Sequence, residues 1–319
     1  SWSAGGISLK KRKKIYDNMN KLIVILGPTA SGKSGLAVKM ARRFYGEIIS
    51  ADSRQIYKGL NIGSGKITRK KMMGIPHHLL DIANPKKRFT VAQYQKLALK
   101  KIEEIHKRNL IPFLVGGTGF YIQSVVDGIV IPEVKPDWKL RKKLEQKSVA
   151  QLFLMLKKLD PGRAKNIDAK NPRRLIRALE IVMNTGKPVP KSYGRRASIL
   201  FDILQIGIKT TPEELKKAIQ KRLMKRIKGI VAEVKQLHKN GLSWKRLEEL
   251  GLEYRFTAQY LQGKLSYQET LDKIQIESEH FAKRQMTWFK QGPKIHWTRP
   301  HTKSGFKEVV KLCENFLLE

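Results

Sequence analysis

Residues 22–34 read Leu-Ile-Val-Ile-Leu-Gly-Pro-Thr-Ala-Ser-Gly-Lys-Ser, an apolar run that passes straight into the pattern G-x-x-x-x-G-K-[ST]. Strand, glycine loop and helix in that order are the sequence form of a phosphate-binding P-loop. Gly27 and Gly32 allow the backbone to curl into a nest of amide donors, with Pro28, Thr29, Ala30 and Ser31 between them. Lys33 adds a point charge, and the Ser34 hydroxyl suits a magnesium ion, Mg2+. Leu36, Ala37, Met40 and Ala41 give the next segment a helical apolar stripe. An ordinary glycine-rich turn would require neither the strand before it nor the helix after it. The chain is therefore expected to be an α/β protein with a P-loop, doubly wound and mainly parallel sheet core, joined by a helical insertion domain.

Glu47-Ile-Ile-Ser-Ala-Asp-Ser-Arg-Gln-Ile-Tyr57 predicts a second strand, with Asp52 just beyond its carboxyl end. Ligands of open α/β sheets collect there. Asp52 is thus a candidate proton acceptor; a loop carboxylate capping a turn is the other reading of the position. A further apolar run, Leu110-Ile-Pro-Phe-Leu-Val-Gly-Gly-Thr-Gly119, ends in glycines and Thr118 where a P-loop nucleotidase would often carry a magnesium-binding carboxylate. That pattern argues against ordinary nucleotide hydrolysis. Glycines beside a hydroxyl suit close approach of a substrate, and equally a tight strand-to-helix turn.

The length of 319 residues allows about two domains. No apolar stretch approaches the roughly 18 residues of a membrane span. Cys313 is the only cysteine, which excludes an intrachain disulfide and argues against a cysteine-based zinc finger. A cytoplasmic protein without membrane attachment is expected. Lys and Arg number 65 against 27 Asp and Glu, a formal net charge of +38. Solvated helix faces explain part of this excess, but its spread along the chain favours an extended polyanion such as RNA. Residues 1–20 lack an initiating Met and carry Lys10-Lys-Arg-Lys-Lys14 ahead of Met19. They are expected to be a disordered extension or cloning remnant outside the fold; the alternative is a localisation or RNA-binding tail.

The strand-and-helix rhythm breaks after Asp127-Gly128, so residues 21–128 and 199–319 are expected to form the core and 129–198 the insertion. Within the insertion, Trp138 with Leu140 or Arg141 and Leu144, then Leu152, Leu156 and Leu159, suggest buried helix faces. Asn171-Pro172 opens a helix whose buried positions are Leu175, Leu179 and Val182. Its Arg173, Arg174 and Arg177 either face phosphate or make an exposed basic side. Residues 199–208 read as a strand. Thr211, Pro212 and Glu214 then open a long helix, buried through Leu215, Ile219, Leu223, Ile227, Ile230, Val234 and Leu237. Lys216, Lys217, Lys221, Arg222, Lys225 and Arg226 occupy its other face.

The P-loop 27–34, Ala51-Asp-Ser-Arg-Gln-Ile-Tyr57 and Gly116-Gly-Thr-Gly-Phe-Tyr121 together resemble the tRNA dimethylallyltransferase family, the tRNA isopentenyltransferases. Pro76-His-His-Leu-Leu-Asp81, Phe89-Thr-Val-Ala-Gln-Tyr94, Arg173 to Glu180, Thr185-Gly-Lys-Pro188 and Ala282-Lys-Arg-Gln-Met-Thr-Trp288 fit the same family in the same order. The single cysteine matches the shorter bacterial form. The resemblance implies transfer of a dimethylallyl group from dimethylallyl diphosphate to adenosine 37 of the tRNA anticodon stem-loop; a monomer is expected. It implies Asp52, Lys33, Thr118 and Arg255 as the catalytic set, residues 27–34 with Arg255 as the diphosphate site, and Ser34 as the magnesium ligand.

The same resemblance implies tRNA contacts by Asp52, Ser53, Arg54, Gln55, Thr118, Arg173, Arg174, Arg177, Tyr254, Lys283, Arg284, Gln285 and Trp288. The adenosine is expected to be flipped into a channel between sheet and insertion. In the block Gly251-Leu-Glu-Tyr-Arg-Phe256, Glu253 and Phe256 stand where the family usually has glycine and glutamine. His77 and His78 read as structural histidines. A small-molecule P-loop kinase and an isopentenyltransferase of free adenylate share the loop but leave the charge without a use. A purely RNA-binding protein would leave the pairing of Lys33 with Asp52 without one.

Overall fold

A computed structural model describes residues 20–132, 134–190, 201–290, 292 and 295–319. The expected extension therefore lies, apart from Asn20, outside the described residues, as do the first two positions of the predicted 199–208 strand. The strands are β1 (Lys21–Leu26), β2 (Gly46–Ala51), β3 (His77–His78), β4 (Ile111–Gly116), β5 (Asp202–Ile208) and β6 (Ile295–Thr298). They form one sheet in the order β3-β2-β4-β1-β5-β6, parallel at every pairing.

Parallel strands joined by helices are covered on both faces, which is why β1 from Leu22 onward and β4 are continuously apolar rather than alternating. Leu22, Val24 and Leu26 point to one side, against Ala98, Ile102 and Ile105 of the Val91–His106 helix and Ile230, Val234 and Leu237 of the Pro212–Lys239 helix. Ile23 and Ile25 point to the other, with Phe113, Val115, Leu204 and Ile206 from the neighbouring strands. The Lys33–Arg43 helix covers that face with Leu36, Ala37, Met40 and Ala41, beside Val309, Cys313 and Leu317 of the Lys303–Leu318 helix. Each fully buried Val, Leu, Ile, Phe or Met among them contributes about 1.5–3 kcal/mol, so the two faces together dictate the winding. Among the described residues no helix is long and apolar enough to cross a membrane.

The Pro212–Lys239 helix begins as its residues dictate. Thr211 and Glu214 form a reciprocal capping box, with Pro212 in the first turn. Its buried stripe runs from Ile219 to Leu237, while Leu215 is only partly covered. β3 and β6, of two and four residues, carry no periodic pattern of their own. They exist because β2 and β5 offer them an unpaired edge.

Contacts divide the chain into two units: the described residues within Ser1–Val126 and Leu200–Glu319, and those within Asp127–Ile199. The second packs the helices Trp138–Leu144, Val149–Leu159 and Pro172–Thr185 around Leu144, Leu152, Leu156, Leu175, Leu179 and Val182. Trp138 and Leu159, expected on buried faces, are 45% and 46% exposed. The Trp138 ring instead lies under the Arg141 guanidinium, 4.8 Å from its centre. Fully buried Glu180 anchors this unit. It accepts from Asp137 N and Arg141 Nε at 2.7 Å each, from Arg141 Nη2 at 2.7 Å, and from Arg177 Nη1.

Candidate functional site

The loop after β1 has Gly32 at φ 83° and Ala30 at φ 61°, so successive amides turn inward before the helix starts at Lys33. Positive φ is the conformation glycine tolerates best. Lys33 reaches back across the loop and donates from Nζ to Pro28 O at 2.5 Å. Burial pushes its ammonium down to about 7; the Asp52 charge opposes that shift and the Arg222 charge adds to it. A cation held this reluctantly is poised for an anion.

β4 and β2 end side by side because Gly116 has no side chain: a Cβ there would lie 2.1 Å from Ala51 O. This close approach brings Thr118 to the loop that follows β2. Thr118 N donates to Ala51 O at 3.1 Å, and Thr118 Oγ1 accepts from Ser53 N at 3.0 Å. Asp52 Oδ1 accepts from Arg54 N at 2.8 Å and Gln55 N at 3.3 Å, and Oδ2 from Gln55 Nε2 at 3.3 Å. Asp52 therefore does cap a turn. Its two oxygens offer about four acceptor sites, so the turn does not exhaust them.

These loops line a cavity of about 460 Å³. Lys33, Ser34, Asp52, Ser53, Arg54, Gln55, Thr118, Arg255 and Gln285 all border it. Arg255 also donates from Nε to Glu248 O at 3.1 Å. Gln285 faces this cavity rather than the outer surface. It is buried, accepting at Oε1 from Thr29 N at 2.8 Å and donating from Nε2 to Gly117 O at 2.7 Å, which ties the P-loop to the turn after β4.

Tyr254, expected at the tRNA, is turned into the protein interior instead. It is 1% exposed, out of reach of a polynucleotide, and its hydroxyl donates to Glu233 Oε1 at 2.7 Å. Burial, followed by the Glu233 charge, raises its pKa well above the usual tyrosine value, which keeps it a donor. Phe256 packs on Leu223, Ile227, Leu271 and Ile274, filling with apolar contact the place of the family's glutamine. Lys283, Arg284 and Trp288 are exposed on the Tyr267–Phe289 helix, with Trp288 edge-on to Phe120 at 6.2 Å. Arg173 and Arg174 are exposed on the second unit, whereas Arg177 is partly buried and committed to Glu180, Val134 O and Pro132 O.

Arg222 belongs to the site although nothing in its sequence distinguishes it from its basic neighbours. It borders the cavity, and Nη1 donates to Thr29 Oγ1 at 3.3 Å. Arg226, one turn on, is pushed down to about 10 by burial and then by the Arg222 charge, against the acidic partners Glu253 and Glu233. Two guanidinium groups at i and i+4 repel unless an anion lies near. Lys217, Lys221 and Lys225 repeat at the same spacing, so the helical pattern does not single the two arginines out.

Among the described residues no three His, Cys, Asp or Glu converge as a metal cage. Ser34 and Asp52 do present hard oxygen donors to the same cavity, which fits a magnesium ion shared with phosphate oxygens and water. His78 pairs with Glu47 at 2.6 Å, and His77 Nδ1 donates to Ile75 O at 2.8 Å. The cavity can thus hold a phosphate anion beside a hydrogen-bond acceptor for a nucleophile.

The profile of the IPP transferase family matches residues 55–292. A tRNA dimethylallyltransferase of Carboxydothermus hydrogenoformans is 40% identical over 307 residues, covering 94% of this chain and 97% of that protein. The crystal structure of a tRNA isopentenylpyrophosphate transferase from Bacillus halodurans is similar with a TM-score of 0.68 and 36% identity, over 93% of this chain and 95% of that one. A eukaryotic dimethylallyltransferase acting on tRNA gives a TM-score of 0.77 at 26% identity, over 91% and 77% of the two chains.

Proposed function

The chain belongs to the tRNA dimethylallyltransferase, or IPP transferase, family, and from that premise we propose that it transfers a dimethylallyl group from dimethylallyl diphosphate to the exocyclic amine of adenosine 37 in tRNA, releasing diphosphate. The observation that carries this reading is that Lys33 and Asp52 border one cavity, anion site beside acceptor.

The P-loop amides, Lys33 and Arg222 hold the diphosphate, joined by Arg255, which borders the same cavity. Charge grows on the leaving oxygens in the transition state, and donors fixed beforehand stabilise it without reorganising. Magnesium at Ser34, when bound, supplies further Lewis-acid stabilisation of that charge. The adenine amine is a poor nucleophile because its lone pair is delocalised into the ring. Asp52 orients it as a hydrogen-bond acceptor, and Thr118 holds the 52–55 loop in place through Ser53 N. The amine nitrogen bonds to the allylic carbon as the carbon–oxygen bond breaks. The electron pair leaves with diphosphate and the amine proton goes to Asp52. A stacked base cannot reach this cavity, so the adenosine enters extruded. The net charge of +38, with exposed Lys283, Arg284, Arg173 and Arg174, supports a polynucleotide substrate bound at its anticodon stem-loop.

Incubation with magnesium, tRNA and dimethylallyl diphosphate, then digestion and mass analysis, should yield an adenosine heavier by one dimethylallyl group. ATP in a parallel reaction should yield none. Phosphoryl transfer from ATP without the modified adenosine would overturn the reading in favour of a kinase.

A further inference from the structure

Arg222, Arg226 and Glu233 follow one another on the Pro212–Lys239 helix at spacings of four and seven, so they share one face. That face packs on Asn61-Ile-Gly-Ser-Gly65, whose Gly63, Ser64 and Gly65 form part of the cavity wall. Glu233 takes the donor side of the segment. Its Oε2 accepts from Asn61 N at 2.9 Å and Ile62 N at 2.7 Å, and its Oε1 accepts from Gly63 N at 3.0 Å and the Tyr254 hydroxyl at 2.7 Å. The Tyr254 oxygen in turn accepts from Ser64 N at 3.0 Å. Successive amides from 61 to 64 thus end on one carboxylate–phenol pair.

The carbonyl side of the segment belongs to the arginines. Gly63 O accepts from Arg226 Nη2 at 3.4 Å and Ser64 O from Arg222 Nη2 at 3.5 Å. The other nitrogen of Arg222 reaches Thr29 in the P-loop at 3.3 Å. The fit is close: a Cβ on Gly65, at φ 64°, would lie 2.1 Å from Arg222 Nη2. Glu233 itself stands eleven residues from Arg222, about 16 Å along a helix rising 1.5 Å per residue, so it acts on Arg222 through intermediaries, the 61–65 segment and Arg226, rather than by direct contact. Removing the carboxylate would release the amides and let the carbonyls that aim the guanidinium turn away.

We propose that Glu233 and Tyr254 are positioning residues, which by fixing the amides of 61–64 hold the Gly63 and Ser64 carbonyls that aim Arg222 across the P-loop at the donor diphosphate. This rests on the diphosphate reading above. A merely structural latch would lower thermal stability and leave ligand affinity alone. The test is calorimetric binding of inorganic diphosphate, with magnesium, to the full chain and its variants. Glu233→Gln should raise Kd about 10-fold and Tyr254→Phe, which removes a single oxygen, about 3-fold or more, the range of one or two hydrogen bonds. In an Arg222→Ala background neither change should raise Kd beyond about 2-fold, since coupled residues are non-additive. In turnover, KM for dimethylallyl diphosphate should rise while KM for tRNA stays constant. If the unsubstituted protein fails to bind diphosphate, the donor reading falls, and this proposal with it. If it binds, but Tyr254→Phe and Glu233→Gln bind as tightly, or their losses add fully to that of Arg222→Ala, the proposal alone is overturned. Should Glu233→Gln fail to fold, Tyr254→Phe decides by the same criteria.

Discussion

Asp52 combines two duties in one carboxylate, and substitution can separate them. Asparagine keeps an oxygen for the Arg54 and Gln55 amides but removes the base, whereas alanine removes both. Asp52→Asn should lose about 100-fold or more in turnover, the scale of general-base catalysis, with tRNA binding and melting temperature near those of the parent. Asp52→Ala should lose as much activity and also about 1 kcal/mol of stability from the freed turn amides. Near-normal turnover in Asp52→Asn removes the carboxylate from the chemistry. Lys33 makes a pH prediction. Empty, it is neutral above about 7, and a bound diphosphate favours the charged form, so binding should draw in a proton. Calorimetry at about pH 8.5 in buffers of different ionisation enthalpy should show uptake approaching one proton, absent in Lys33→Ala. In the empty protein the unfolded chain holds this proton and the fold does not between about 7 and 10.5, so this group's contribution to stability rises with pH there. Proton release on binding would contradict the assignment.

At the scale of elements, the Pro172–Thr185 helix is held by a charge network rather than by its apolar stripe alone. Burial would raise the Glu180 pKa, but hydrogen bonds from Arg141 and Arg177 outweigh it and hold the carboxyl below the usual glutamate value. The stability this contributes is present above the ordinary value of 4.5 and is lost as pH falls through the depressed one. Glu180→Ala leaves two partly buried guanidinium groups without their anion, a change that costs roughly 3–5 kcal/mol when a buried pair is broken. Hydrogen exchange in the second unit should accelerate accordingly, while the diphosphate affinity of the first unit stays constant. Unchanged protection of the 172–185 helix would show that the network adds nothing beyond packing.

For the whole molecule the governing quantity is charge. A chain of net charge +38 binding tRNA is predicted to show steep salt dependence, log affinity falling by about 0.7 to 0.9 for each phosphate neutralised per decade of salt. Arg173 and Arg174 are exposed, so changing both to alanine should flatten that slope by about one such increment for each phosphate no longer neutralised. Arg177→Ala should leave the slope alone and destabilise instead, because its guanidinium is occupied by Glu180. Titration of tRNA at several salt concentrations distinguishes the three variants. An unchanged slope in the double variant places both residues outside the RNA interface.

Local pattern was enough for the P-loop and its flanking strand and helix, for the apolar strands β1 and β4, and for the capped start of the Pro212–Lys239 helix. In each, the signal and the structure lie within one or two turns of chain: glycine spacing, an unbroken apolar run, a threonine three residues before a glutamate. The site's inner wall was not legible this way. Gln285 meets Thr29 across 256 residues, and Arg222 meets it across 193. Motif reading placed Tyr254 and Gln285 at the RNA, and only the packing of their helices showed that both turn inward. It likewise took an edge strand to give β3 and β6 a partner, and a buried glutamate to take Arg177 from the surface. Backbone geometry follows from neighbours in sequence, because the forces that set a turn or a helix act over a few bonds. Which side of a helix meets which loop follows from the close packing of distant segments, and that is decided only when the whole sheet is assembled.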